Sequence, residues 1–326
     1  MPTPKLNASS RIMLEEAEKR GISCVAFEDN ETVLMSTETH QWYIRGSRTS
    51  FQSSVGKTIA DYKPLTKQVL SHFQLPTGKW VVISQKTGLD QETLQQIAQL
   101  EFPVVVKPLD ERHGKGVIVG IENSAVLTQI YQPGTALLVE EQLRCQEYRI
   151  VCLDYQFTAA AYRKSAHVMG DGQHTVEELI TEKNKHPWRG AGHQNNLTVI
   201  TVDELVISLL SEQKLKLNDI PQPGQEVVLR KTANLSTGGE AWNITETVHP
   251  ENRKLFEQIA RACDLNIIGI DVMCTDISSP ILDQPKAGII EVNASPGLRM
   301  HHYPLQGEPI NIAGQILDLC LRSLKQ

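Results

Sequence analysis

The sequence predicts a mixed α/β fold of the α+β type, and three observations predict it. Strand-sized apolar runs alternate with amphipathic stretches, with no internal repeat or low-complexity tract. The longest apolar runs are too short to span a bilayer as a helix. Near the end of the chain, NIIGIDVMC and AGIIEVN are two apolar runs joined by a loop, the pattern of an antiparallel pair.

Bulk properties set bounds on function. A chain of 326 residues buries a sizeable core, as one large or two to three small domains. Its formal net charge of −6 provides no global basic field, so neither nucleic acid nor a membrane surface is an expected partner. An anionic ligand must be met by a local cluster. The opening MPTPKLNASSR lacks the apolar core of a signal peptide, and the six cysteines show neither CxxC pairing nor metal-ligand spacing. The expectation is a cytoplasmic protein with reduced, mostly buried thiols.

In chain order, RIMLEEAEKR reads as an amphipathic helix closed by Gly21, followed by the short apolar runs SCVAF and ETVLM. Residues 1–60 form a leading α/β segment. Helical stretches near 64–73 and 90–100 flank WVVIS; FPVVVKPLD is a β-branched strand, and VIVGI, ALLVEE, YRIVCL and FTAAAYR follow it. Two long helices, 251–263 and 310–324, are expected to pack on the closing strand pair.

Two glycine motifs invite a nucleotide reading. Ser54-Val-Gly-Lys-Thr58 looks like the tail of a P-loop, but Phe51 stands where its first glycine belongs and no apolar strand leads in. Gly114-Lys-Gly116 precedes a strand rather than a helix, which excludes a dinucleotide fingerprint. A glycine turn between two strands serves either as a plain hairpin or as a flap whose N–H groups and Lys115 close over phosphates.

The chemistry concentrates in the closing strands. Glu291 and Asn293 are two apart at the end of an apolar run, so both project from one face of a strand. Asp271 interrupts the apolar run before them, where an unpaired carboxylate is costly to bury. If the two strands are neighbours, three hard oxygen ligands converge, a set suited to Mg²⁺ sharing its coordination with phosphates.

At these residues the chain resembles the ATP-grasp ligases. Asp271-Val-Met with Glu291-Val-Asn293-Ala-Ser-Pro-Gly looks like that family's metal site. Within the superfamily the chain is most similar to the ATP-grasp part of cyanophycin synthetases, then to the glutathione-synthetase half of fused bacterial glutamate–cysteine ligases. AHVMGDGQHTVEELI, PWRGAGHQNNLT, LRKTANLSTGGEAWNIT and ASPGLRMH carry that likeness. Cyanophycin synthetases also carry an amino-terminal region and a Mur-ligase-like domain, for which this chain has no room.

The resemblance implies an ATP-grasp fold, with the nucleotide sandwiched between two antiparallel-sheet subdomains: a lid at 61–144 and a catalytic part with the metal site at 145–326. It implies ATP and one or two Mg²⁺, with Mn²⁺ as an alternative, and formation of an amide through an acyl phosphate on amino-acid or short peptide substrates. Lys67, Lys107 and the flap His113, Gly114, Lys115 and Gly116 would hold the phosphates. Glu140, with the backbone at Glu141 and Leu143, would bind adenine, and Glu147 the ribose. Arg230 or Lys231 would stabilise the transferring phosphoryl group, and Arg299 and Asn234 would position substrate, an Arg fork matching a carboxylate. Arg163, His167, Arg189 and His193 are further candidates. The D-alanine ligase pattern puts an arginine two residues before the metal Asp; Gly269 stands there, so another cation must serve. A homodimer or homotetramer is implied by resemblance. A catalytically silent nucleotide-binding module and a glutathione- or D-alanine-type ligase stay open as alternatives.

Overall fold

The computed structural model describes residues 6–109, 116–143, 145–190 and 195–325. They fold into two compact units made of interleaved segments. Unit 1 draws on Met1–Phe51, Thr158–Glu246 and Ser295–Gln326, and unit 2 on Gln52–Phe157 and Thr247–Ala294. Among the described residues no helix is long and apolar enough to cross a membrane.

Unit 2 holds an antiparallel four-stranded sheet in the order Trp80–Ile83, Leu137–Glu141, Val104–Pro108, Ile118–Ile121. Strand alternation divides its residues between two faces. Val104, Val106, Val81, Ile83, Leu137 and Val139 pack with Ile97, Leu100 and Leu127 from the adjoining helical segments. The opposite face therefore carries Val105, Lys107, Leu138 and Glu140. In the same unit, Ile267–Cys274 lies antiparallel between Gln146–Leu153 and Gly288–Asn293, the pairing expected of the closing runs. Helix Pro250–Ala262 covers these strands with Leu255, Phe256 and Ile259.

Unit 1 begins with helix Ala8–Lys19, capped by the Asn7 side chain and ended by Gly21 at φ +71°. An antiparallel four-stranded sheet follows, Ser23–Ala26, Thr32–Ser36, Gln41–Arg45 and Arg48–Thr49 in that order. The carboxy-terminal helix Ile312–Ser323 packs on the first helix. Glu240–Asn243 pairs antiparallel with Ala161–Lys164. Helix Val176–Asn184 opens with a reciprocal Thr175–Glu178 capping box, legible in TVEEL.

The P-loop look-alike has a packing explanation. Ser54–Asp61 is a helix capped by the Ser53 hydroxyl, and Lys57 pairs with Asp61 one turn on, at 2.5 Å. A Cβ on Gly56 would stand 2.2 Å from the Asp264 carbonyl oxygen and 2.8 Å from that of Cys263, so the glycine lets this helix lie against the end of Pro250–Ala262. Gly56→Ala is expected to cost about 1–3 kcal/mol in urea denaturation, the usual range for overpacking.

The adjacent histidines His301 and His302 both lie in the short helix Arg299–His302. His302 Nε2 accepts from the Ala313 N–H at 3.1 Å, and burial pushes its pKa down to about 4 from an ordinary 6.5, against the pull of Glu16. Because the folded pKa lies below the unfolded one, stability is complete above pH 6.5 and falls as pH drops towards 4. Between pH 7 and pH 4.5, urea denaturation should show the wild type losing about 2 kcal/mol more than His302→Gln.

Candidate nucleotide and metal site

Asp271, Glu291 and Asn293, the expected metal ligands, meet on one face of unit 2. Asp271 pairs directly with Glu291 across the strands and Gly269 with Asn293, while Ile270 and Val292 turn into the core from the other face. Asn293 Nδ2 lies 3.3 Å from Asp271 Oδ2 and 3.3 Å from Glu291 Oε1. A register shift between Asp271 and Val272 leaves Ile290 without an opposite residue, a β-bulge beside the acids.

Bringing two carboxylates together in a buried place needs a counter-charge, and Arg149 supplies it. It stands opposite Asp271 on the other neighbouring strand. Its Nε reaches Asp271 Oδ1 at 2.5 Å and its Nη2 reaches Oδ2 at 2.9 Å, a two-point pair with Asp271 only 3% exposed. Glu291 remains in excess: burial first, then the charge of Asp271 and a hydrogen bond to it, raise its pKa above the ordinary glutamate value.

This donor set suits Mg²⁺. Among the described residues no group of three or more His, Cys, Asp and Glu side chains is arranged to hold a metal. Two carboxylates and one amide oxygen match an ion that keeps several waters and binds phosphate oxygens. As placed, Asn293 donates to both acids, and a half-turn of its amide exchanges that nitrogen for Oδ1.

A second buried charge cluster faces this one within unit 2. Lys67, from helix Lys63–His72, lies 2.7 Å from Glu140 Oε2, and Lys107 bonds Glu140 Oε1 from the next strand. All three are at least nine-tenths buried. Although burial favours the neutral acid, the charges and hydrogen bonds of both lysines hold the Glu140 pKa at about 2. Burial and the like charge of Lys107 lower the Lys67 pKa against the attraction of Glu140. Lys67 also donates to Thr77 Oγ1 at 2.7 Å and the Ile289 carbonyl at 3.3 Å, tying the lysine pair to the strand that carries Glu291.

Glu140, expected at adenine, has its carboxylate shared by the two lysines. The Glu141 N–H donates to the Lys79 carbonyl at 3.0 Å, so a hinge contact from Glu141 would fall on its carbonyl. Glu147 is two residues before Arg149 on the same strand face and contributes to its field. His113, Gly114 and Lys115 lie outside the described residues; Gly116 adopts φ +70°. Arg149 was missed, although Glu147-Tyr-Arg149 signals two charges on one face of an otherwise apolar strand.

The remaining site residues belong to unit 1. Arg230, expected at the transferring phosphoryl, is instead held by Asp203 through two 2.8 Å contacts and by the Thr201 carbonyl. Lys231 pairs at the surface with Glu212. Both cations are thus committed to acids at the two ends of helix Glu204–Glu212. Asn234 Oδ1 accepts from Arg163 Nη2 at 3.1 Å. Arg299, 7% exposed, donates to the Asn195 carbonyl at 3.0 Å and Thr198 Oγ1 at 3.4 Å. Burial and the nearby Arg11 lower its pKa. No carboxylate faces it among the described residues.

Comparison with known proteins agrees with this architecture. Residues 223–320 match the RimK-like ATP-grasp domain. The cyanophycin synthetase of Crocosphaera subtropica is 35% identical over 320 residues, covering 96% of this chain and 36% of its own length. The glutathione biosynthesis bifunctional protein of Enterococcus faecalis is 31% identical over 326 residues, covering 97% of this chain and 42% of its own. Among solved structures, a bifunctional glutathione synthetase from Pasteurella multocida superposes with a TM-score of 0.75 at 27% identity, covering 98% of this chain and 44% of that one. The chain belongs to the ATP-grasp superfamily. It spans well under half the length of these relatives.

Removing Arg149 leaves two buried carboxylates uncompensated. Arg149→Met is expected to destabilise the protein by about 3–5 kcal/mol in urea, and Asp271→Asn on that background to restore part of the loss.

Proposed function

We propose that the chain is an ATP-dependent carboxylate–amine ligase that forms an amide on amino-acid or short peptide substrates, with ADP as a product. The observation that carries this reading is the convergence of Asp271, Glu291 and Asn293 in the same unit as the Lys67–Glu140–Lys107 cluster. Phosphoryl transfer gives protein groups little covalent work and depends on positioning and charge stabilisation, which these residues are equipped to supply.

A substrate carboxylate oxygen attacks the γ-phosphorus of ATP and ADP leaves; an amine nitrogen then attacks the acyl carbon of the acyl phosphate and inorganic phosphate leaves. Lys67 and Lys107 bind the phosphate chain, and their surplus over Glu140 is one positive charge. Asp271, Glu291 and Asn293 hold Mg²⁺, which supplies charge neutralisation at the phosphate oxygens when bound. Arg149 keeps Asp271 oriented. Arg299, a buried cation facing neutral acceptors, receives a substrate carboxylate. The names of the relatives point to amino-acid and peptide substrates. Six free cysteines suit the reducing cytoplasm.

The test is ADP release with ATP, Mg²⁺ and a matrix of amino acids and dipeptides, followed by mass spectrometry of the product. At least one carboxylate and amine pair should release ADP, and Glu291→Gln, which leaves the Arg149–Asp271 pair intact, should lower that rate by at least about 100-fold with the fold retained. ATP binding without turnover on any pair would favour a nucleotide-binding module instead.

A further inference from the structure

Unit 1 contains a cavity of about 470 Å³, lined in part by Glu240, Lys183 and Arg189 and walled by Leu197 and Leu305. Its floor is a third buried charge cluster, assembled from residues that take no part in the nucleotide and metal centre described above. Glu240 Oε1 accepts from Arg189 Nη2 at 2.7 Å and from Lys183 Nζ at 2.8 Å. Its other oxygen, Oε2, has no hydrogen-bond partner among the described residues. Arg189 is otherwise spent on the Thr198 and Gly238 carbonyls, at 2.6 and 3.1 Å, which fixes its guanidinium. Lys183 also donates to the His167 carbonyl at 2.8 Å. An ammonium has three donors, so a third remains after Glu240 and His167. The Lys183 side chain is 23% exposed, while those of Arg189 and Glu240 are almost wholly covered. The floor thus has two cations against one carboxylate, a surplus positive charge, and presents one donor beside one open acceptor.

We propose that this cavity binds a free α-amino acid, the carboxylate on Lys183 and the ammonium on Glu240 Oε2, with the side chain between Leu197 and Leu305. A simple anion would use the surplus charge and leave Oε2 unmet; a simple amine would add charge to a floor already positive. A molecule with both groups one carbon apart answers both. The volume accommodates an amino acid with room for water. This deepens the ligase reading by giving an amino acid a place, yet it is tested without ATP or Mg²⁺, so its failure is separable from a failure of turnover.

The probes are the twenty L-amino acids, titrated calorimetrically into the whole chain without nucleotide. At least one should bind, and its N-acetyl and carboxamide derivatives should each bind about tenfold more weakly or worse, as loss of a charged hydrogen bond dictates. Lys183→Gln should weaken the free amino acid by a similar factor. Leu305→Trp, which fills the cavity and leaves the charged floor intact, should abolish binding; it decides the matter if Lys183→Gln fails to fold. The proposal is overturned if none of the twenty binds, if the blocked derivatives bind as well as the free acid, or if binding survives Leu305→Trp.

Discussion

Unit 2 depends on the buried pair between Arg149 and Asp271. A carboxylate in the middle of an apolar strand is held there by two charged hydrogen bonds from the neighbouring strand, and that fixes where Glu291 and Asn293 can meet it. One arginine against two acids leaves a negative surplus; one glutamate against two lysines, on the facing sheet, leaves a positive one. Each cluster is internally satisfied enough to fold and incomplete enough to want a ligand of opposite sign. On the proposed ligase reading, a nucleotide polyphosphate with its divalent ion would bring both signs at once and meet both surpluses.

Much of this was legible in the sequence, because strand periodicity is a two-residue code. VVVKP placed Lys107 on the face opposite the valines that enter the core, and EVN placed two ligands on one face. The Asp271 partner strand followed from two apolar runs with a loop between. What the sequence hid are pairings between residues far apart in the chain. Glu140 is 73 residues from Lys67 and 33 from Lys107, so its role as their shared counter-ion is visible only once the sheet and helix are docked. Arg230 or Lys231 was expected at the transferring phosphoryl group, and their acids, Asp203 and Glu212, lie 27 and 19 residues away in the chain at the two ends of a helix. The interleaving of the two units is likewise invisible to a linear reading.

Unit 1 uses buried arginine differently. Arg189 and Arg230 are tied to carboxylates and backbone carbonyls, and so brace the segment between Thr158 and Glu246. Arg299 differs from these two, meeting only neutral oxygen acceptors in its described surroundings. Side-chain identity alone does not separate these roles. The separation comes from whether an acid arrives from another element, which tertiary packing decides.

The bulge at Ile290 bears on how such a strand tolerates change. Beyond it, Ile289 and Gly288 pair with Val272 and Met273 in a shifted register, so the apolar half and the half bearing the acids follow separate registers against the same neighbour. The aim of the acidic tip is thus set by its own pairing, Asp271 with Glu291 and Gly269 with Asn293, and not by the register of the apolar portion.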